Sequence, residues 1–363
     1  MCGLQEPGIP FVCSHYVEAP GIAWLKSEEG LLLRHAADIK TLAYLALIGV
    51  VLTTLWNYGF DSDGQINIAL CTSLLPLLCL LSIADAVICH NHNHSPIFRS
   101  RWANLAIGSV ISLFYGFPSF AWIPTHNKNH HVFNNRPGDH SITTRPNRRV
   151  GLLGALLYPT VTSVTQTRLI APFLRRCWQG NRPLFWRAMV EYGVFLAFMI
   201  TLFVLDWRKA LLFSVLPQQI ALFFIQHFNY LQHIETDSYS GHGHSRNFTG
   251  SWLNFLLFNN GYHTIHHLKP GLHWSQTPSG HAKIATEIPT RLLVDNLGLY
   301  WLKRFITDEL MGRTPSDQTL PAALSIDTIK VTEQGARALK RAYQLRAAAP
   351  VPIGNEFAEL SSL

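Results

Sequence analysis

INIALCTSLLPLLCLLSIADAVICHNHNH, residues 66–94, runs an apolar segment straight into a cluster of histidines. Ile66 to Cys89 supplies the ~20 apolar residues needed to cross a bilayer core. His90 and His94 follow at once, four apart, and residues three or four apart share a helix face. The segment therefore delivers two imidazoles to one point at its end. Two more clusters lie downstream: His126-x3-His130-His131, and His263-x2-His266-His267 with His233 thirty residues before it. Helical spacing lets His126 and His130 aim together, and likewise His263 with both His266 and His267. Nine such nitrogens exceed one tetrahedral site of four ligands. Two ions are the economical reading, and neutral imidazole suits iron, zinc, copper or nickel.

Outward from this stretch, three more segments have the length and hydropathy of membrane spans: Ile39 to Phe60, about Ala188 to Leu205, and Ala210 to Leu231. DSDGQ (61–65) links the first pair and DWRK (206–209) the second, which reads as two transmembrane hairpins. Composition agrees. Of 363 residues only 14% are charged and 48% are hydrophobic, against about 25% charged in ordinary soluble proteins. The formal charge of +7 would also suit nucleic acid. Here the basic residues flank apolar segments, so anionic headgroups explain them and a nucleic-acid partner is not expected. Six cysteines (Cys2, Cys13, Cys71, Cys79, Cys89, Cys177) form no CxxC pair, and three fall in or at the end of one apolar segment, as small hydrophobes do.

Arginines 99, 101, 136, 145, 148, 149, 175, 176, 182 and 187 all lie between the second and third spans. The positive-inside rule puts that stretch in the cytosol, with both termini and all three boxes on the same side; Arg208 and Lys209 are a mild violation. Two further apolar stretches, about 102–123 and 150–174, are expected to lie in the plane of the cytosolic interface or to be re-entrant. A single extra span there would put the first two boxes on opposite faces. Residues 291–306 read as another interfacial helix. The expected division is a cytosolic segment 1–38 with no cleavable signal pattern, a membrane domain 39–285, and a cytosolic region 286–363 with a basic helix near Glu333–Arg346. The fold class expected is an all-α integral membrane protein, with four spans as two hairpins and a cytosolic helical cap carrying a histidine-rich di-metal site.

Taken singly, a histidine is more often structural than a ligand, and His15, His35, His140, His227, His242, His244, His273 and His281 receive that reading. His92 points off the face shared by His90 and His94, as an outer or surface group. Three boxes at helical spacing, each beside a membrane segment, do not arise from packing. Asp85 sits inside a span, where an ionisable group marks function by default; a bond to a neighbouring helix is the plainer role. Gln218, Gln219 and Glu191 are expected toward the bundle interior, with repair of the backbone at Pro217 as the blander use. Tyr262 and Trp274 read as interfacial belt residues.

HNHNH (90–94), HNKNHH (126–131), NYLQH (229–233) and GYHTIHH (261–267) followed by Leu-Lys-Pro resemble the membrane fatty acid desaturases, a histidine-box superfamily that includes integral-membrane alkane hydroxylases. The resemblance covers roughly residues 40–285. It implies a non-haem di-iron centre at the cytosolic end of a four-helix bundle, with dioxygen as co-substrate. Carried over by position, the ligands are His90, His94, His126, His130, His131, His233, His263, His266 and His267. Asn229 matches a family asparagine that reaches one metal, often through water. Desaturation of a fatty-acyl chain is the favoured outcome, because GYHTIHH-x2-P is closer to desaturases than to alkane hydroxylases. The alternatives are oxidative decarboxylation of a free fatty acid to a terminal alkene, hydroxylation of an alkyl chain, and a non-enzymatic metal-handling membrane protein. A transporter would place its ligands along the spans near the midplane, whereas these gather at one face. The chain carries no HPGG-type cytochrome b5 module and no rubredoxin-like cysteine pairs. Electrons are then expected from a separate ferredoxin, rubredoxin or cytochrome b5 with its reductase, with Arg136, Arg145, Arg148 and Arg149 as a surface able to steer an acidic carrier.

Overall fold

The computed structural model describes residues 33–147 and 150–313, mostly as helix. Arg148, Arg149, Cys2, Cys13, His15 and the expected helix near Glu333–Arg346 lie outside the described residues. Helix α1 (Ile39–Tyr58) turns back into α2 (Ile68–His94). Asp61 closes the turn by accepting from the backbone N–H of Asp63 (3.0 Å) and Gln65 (2.8 Å), and Asn67 caps α2 through the N–H of Leu70 (3.1 Å). The 27 residues of α2 span about 40 Å at 1.5 Å per residue, more than the ~30 Å of a hydrocarbon core. The surplus at its C-terminal end carries His90 and His94. The helix thus runs five residues beyond the apolar segment expected to end at Cys89.

Helix α3 (Arg101–Tyr115) ends at Gly116 (φ +87°), and after Pro118 the chain leaves at 89° along Ser119–Phe133. A Cβ on Gly116 would lie 2.5 Å from Cβ of Gln218, so both the backbone conformation and the close approach call for glycine here. The new leg is π-helical over Ile123–His130 and finishes as one α-turn, α4 (His131–Phe133). The apolar stretch expected near 102–123 is therefore broken. The one near 150–174 is two helices, α5 (Leu152–Thr167) and α6 (Ile170–Gly180).

Helices α7 (Arg182–Lys209) and α8 (Leu216–His233) are joined by π-helical Ala210–Val215. The chain reverses between them. Asp206 has non-helical angles (φ −162°, ψ 104°), and Gln218 Nε2 lies 3.7 Å from Met199 Sδ across nineteen residues. A continuous helix would separate those atoms by about 28 Å. The chain thus turns back on itself at DWRK. Ala36–Tyr58, Ile68–His94 and Arg182–His233 are long and apolar enough to cross a membrane, the last with a reversal inside it; the bent pair around Gly116 would add a further span if counted as one.

Helices α2 and α8 pack along each other, and the small residues Ala84 and Ala86 on α2 and Ala221 on α8 are buried. Beyond α8, β1 (Asn247–Phe248) pairs in parallel with β2 (Leu293–Val294). Between them lie α9 (Ser251–Leu256), α10 (His263–Leu268) and α11 (Thr277–Ala282). The helix expected over 291–306 begins only at Leu297, as α12 (Leu297–Leu302), capped by Asn296 on the N–H of Leu299 (2.9 Å). Leu293 and Val294 are held in the strand pair instead.

Candidate metal centre

The end of α2, the π-helical leg, the end of α8 and α10 converge, and all nine box histidines meet there in two groups: His90, His94, His126, His131 and His266, and His130, His233, His263 and His267. Within each group one ligand atom per residue lies within 4.8 Å of all the others. The partition corrects two expectations. His126 does not share its partner with His130; it joins His131, five residues on. The cause is local, since π-helical winding bonds i to i+5 and opens the turn, bringing Nε2 of His126 and His131 to 3.0 Å. In the third box His263 keeps His267, one α-turn away with Nε2 atoms 3.0 Å apart, while His266 leaves for the other group.

Four Nε2 atoms of the larger group form a closed ring: His90–His126, His126–His131, His131–His266 and His266–His90 are each 3.0 Å. The His94 ring stands 4.7 to 5.2 Å from the four others, centre to centre, and its Nε2 is buried with no hydrogen-bond partner among the described residues. Ligands about 2.1 Å from an ion stand about 3.0 Å apart at right angles and about 3.4 Å apart in a tetrahedron. The 3.0 Å steps of the ring are spacings at which its imidazoles can share one ion. The smaller group runs His130–His233–His263–His267 in steps of 3.1, 3.0 and 3.0 Å, four ligands in all.

Protonation suits this use. Burial and then the neighbouring imidazoles push His263, His266 and His267 well below the usual histidine range, so they are neutral at pH 7. His90 Nδ1 donates to Asn91 Oδ1 (3.0 Å) and His130 Nδ1 to Asp139 Oδ2 (2.8 Å), which leaves each Nε2 lone pair facing its group. Asp139 is fully buried. Burial alone would raise its carboxyl; the His130 ring, with hydrogen bonds from His130 and Ser141, outweighs it and holds the group at about 2.

A cavity of about 140 Å³ touches both groups through His90, His126 and His263. Leu222 and Ile225 form an apolar stretch of its wall on α8, and Asn229 and Gln232 follow on the same helix. Asn229 donates to the Tyr158 hydroxyl (2.8 Å), and Gln226 to Gln166 (2.8 Å) on α5.

The other singled-out residues sort clearly. Asp85 is fully buried, and among the described residues neither carboxylate oxygen has a hydrogen-bond partner, a histidine included. Glu191 does face inward: it accepts from the N–H of Phe120 (2.6 Å) and from Arg187 (2.8 Å), and so anchors the start of the π-helical leg. Gln218 is buried and donates to the Leu113 carbonyl (2.7 Å), while Gln219 is exposed. His92, expected as an outer or surface group, is buried and belongs to neither group. His35, His140, His227, His242, His244, His273 and His281 stay outside both groups and hold structural contacts, such as His140 with the Thr165 carbonyl and His273 with Asp38. Trp274 donates to Asp38 (2.9 Å), and the Tyr262 ring packs on His281 at 4.9 Å. Asp139, Ser141, Tyr158 and Asn91 escaped the sequence reading. Only the loop NNRPGDHS, beginning three residues past the second box, hinted at Asp139.

A family model described as fatty acid desaturase matches residues 66–297. The chain belongs to that family. No curated protein and no solved structure matches it.

Proposed function

We propose that this protein is an oxygen-dependent fatty-acyl desaturase with two non-haem iron ions, the larger histidine group holding one and the smaller the other. The observation that carries the reading is the meeting of nine imidazoles, as five and four, beside one cavity in a chain of the desaturase family. A redox metal pair with open positions supplies what this chemistry needs, activation of dioxygen and removal of hydrogen from an unactivated CH2. The chain's own residues do the rest. Leu222, Ile225, Phe117 and Ile170 bind the acyl chain and exclude water, Trp122 closes the wall beside His90 and His126, and Asn229 serves the smaller group through water. Among the described residues no Lys, Arg, Asp or Glu lines the cavity, which suits an alkyl chain with its head group outside.

The four long helices are read as spans with the histidines and both termini on the cytosolic side. Reducing equivalents come from a separate ferredoxin, rubredoxin or cytochrome b5. Lipid and headspace analysis of a host expressing wild type beside His266→Ala tests the function. A new double bond absent in the variant supports desaturation. A hydroxylated chain or a volatile terminal alkene would replace it with hydroxylation or decarboxylation on the same site. Identical lipids from both, with wild type inserted and iron-loaded and a reductant supplied, would reject it.

A further inference from the structure

The two histidine groups differ in what stands behind them. In the larger group the outer contact of His90 is a neutral amide, Asn91. In the smaller, His130 is backed by a carboxylate with no exposure. Asp139 Oδ2 accepts from His130 Nδ1 (2.8 Å) and the Asn135 N–H (2.8 Å), and Oδ1 from the Ser141 N–H (2.7 Å) and hydroxyl (2.6 Å). Four donors on two oxygens fix the carboxylate in place and charged. The loop that presents it is itself pinned: Asn135 donates to the His233 carbonyl (3.1 Å), and the Ser141 carbonyl accepts from Tyr158, whose hydroxyl in turn accepts from Asn229 on the cavity wall. Two ligands of the smaller group and one wall of the cavity are thus tied through a single loop, residues 134–143.

We infer that Asp139 is a positioning residue for the smaller group alone, making the two metal sites unequal. A carboxylate on Nδ1–H fixes the tautomer and ring plane of His130 and makes its Nε2 a stronger donor; such outer partners are worth roughly 10- to 100-fold in metal affinity. With four histidines against five, the smaller group has fewer ligands and leans on this one charged support. The inference rests on the metal-binding reading above.

Anaerobic titration of the purified full chain with cobalt(II), read by its visible absorption against a competing chelator, tests it. Wild type should take two ions. Asp139→Asn keeps an oxygen to accept from His130 but loses the charge, and should weaken one ion roughly 10- to 100-fold while leaving the other unchanged. Asp139→Glu should recover part of the loss. Asn91→Leu is the mirror change and should weaken the other ion, by less. Equal weakening of both ions in Asp139→Asn, or of neither, would overturn the inference. A wild type that binds no ion at all would instead bring down the metal-binding reading itself.

Discussion

The larger histidine group takes two of its five members from one long α-helix, whereas the smaller takes all four from a bend, a helix end and a short helix. His90 and His94 sit one α-turn apart on α2, whose length alone carries them beyond the apolar core. The smaller group takes His130 from a π-helical leg set at 89° to the preceding helix, His233 from the last residue of α8, and His263 and His267 from a six-residue helix. A ligand pair on a long helix needs little further support. Ligands at the ends of elements need an anchor, and the smaller group has one in Asp139.

Removing one ligand from either group is the largest test of this contrast. His233→Ala leaves three histidines in the smaller group, and His266→Ala leaves four in the larger. Both should abolish product, a greater loss than the roughly 100-fold that outer partners cost. Metal analysis should show His233→Ala retaining about one ion per chain, while His266→Ala retains more than one. If the two variants lose metal equally, the groups are not as different as their frameworks.

Glu191→Ala comes next. It removes the carboxylate partner of Arg187, leaving that guanidinium only its bond to Asn93 among the described residues, and frees the N–H of Phe120 at the root of the π-helical leg, a loss of about 3 kcal/mol for breaking a buried pair. Because that leg serves both groups, metal content should fall in both together, unlike the selective loss for Asp139→Asn. Gly116→Ala acts at the same bend by forcing a positive φ on a residue with a Cβ, about 1–3 kcal/mol. Denaturant titration in detergent micelles measures both; a stability unchanged in either variant would mean that the bend is not held as described.

Gln226→Leu should have the smallest effect. It breaks the bond to Gln166 in the cavity wall at a cost of about 1 kcal/mol. It should alter the ratio of products by a few-fold while metal content stays at the wild-type value. A change in metal content would place Gln226 in the support of the histidines rather than in the wall.

Much of this was legible in the sequence. The four apolar runs and the DWRK reversal follow from hydropathy and a short polar link, and the nine histidines from their spacing. Their partition was not. The rule that residues four apart share a face assumes α-helical winding, and at His126–His131 the backbone is π-helical. Nothing in HNKNHH distinguishes the two. The bend at Gly116 also hid inside an apolar stretch, because hydropathy is blind to a positive φ. Asp139 was missed for another reason: its role comes from a loop folding back nine residues onto His130, and turn residues such as NNRPGD read as connection.

The most direct measurement is Mössbauer spectroscopy of the purified chain loaded with iron-57 and reduced without oxygen. Two inequivalent sites predict two ferrous quadrupole doublets of equal area and two irons per chain. A single doublet, or one iron per chain, would contradict the division into five histidines and four.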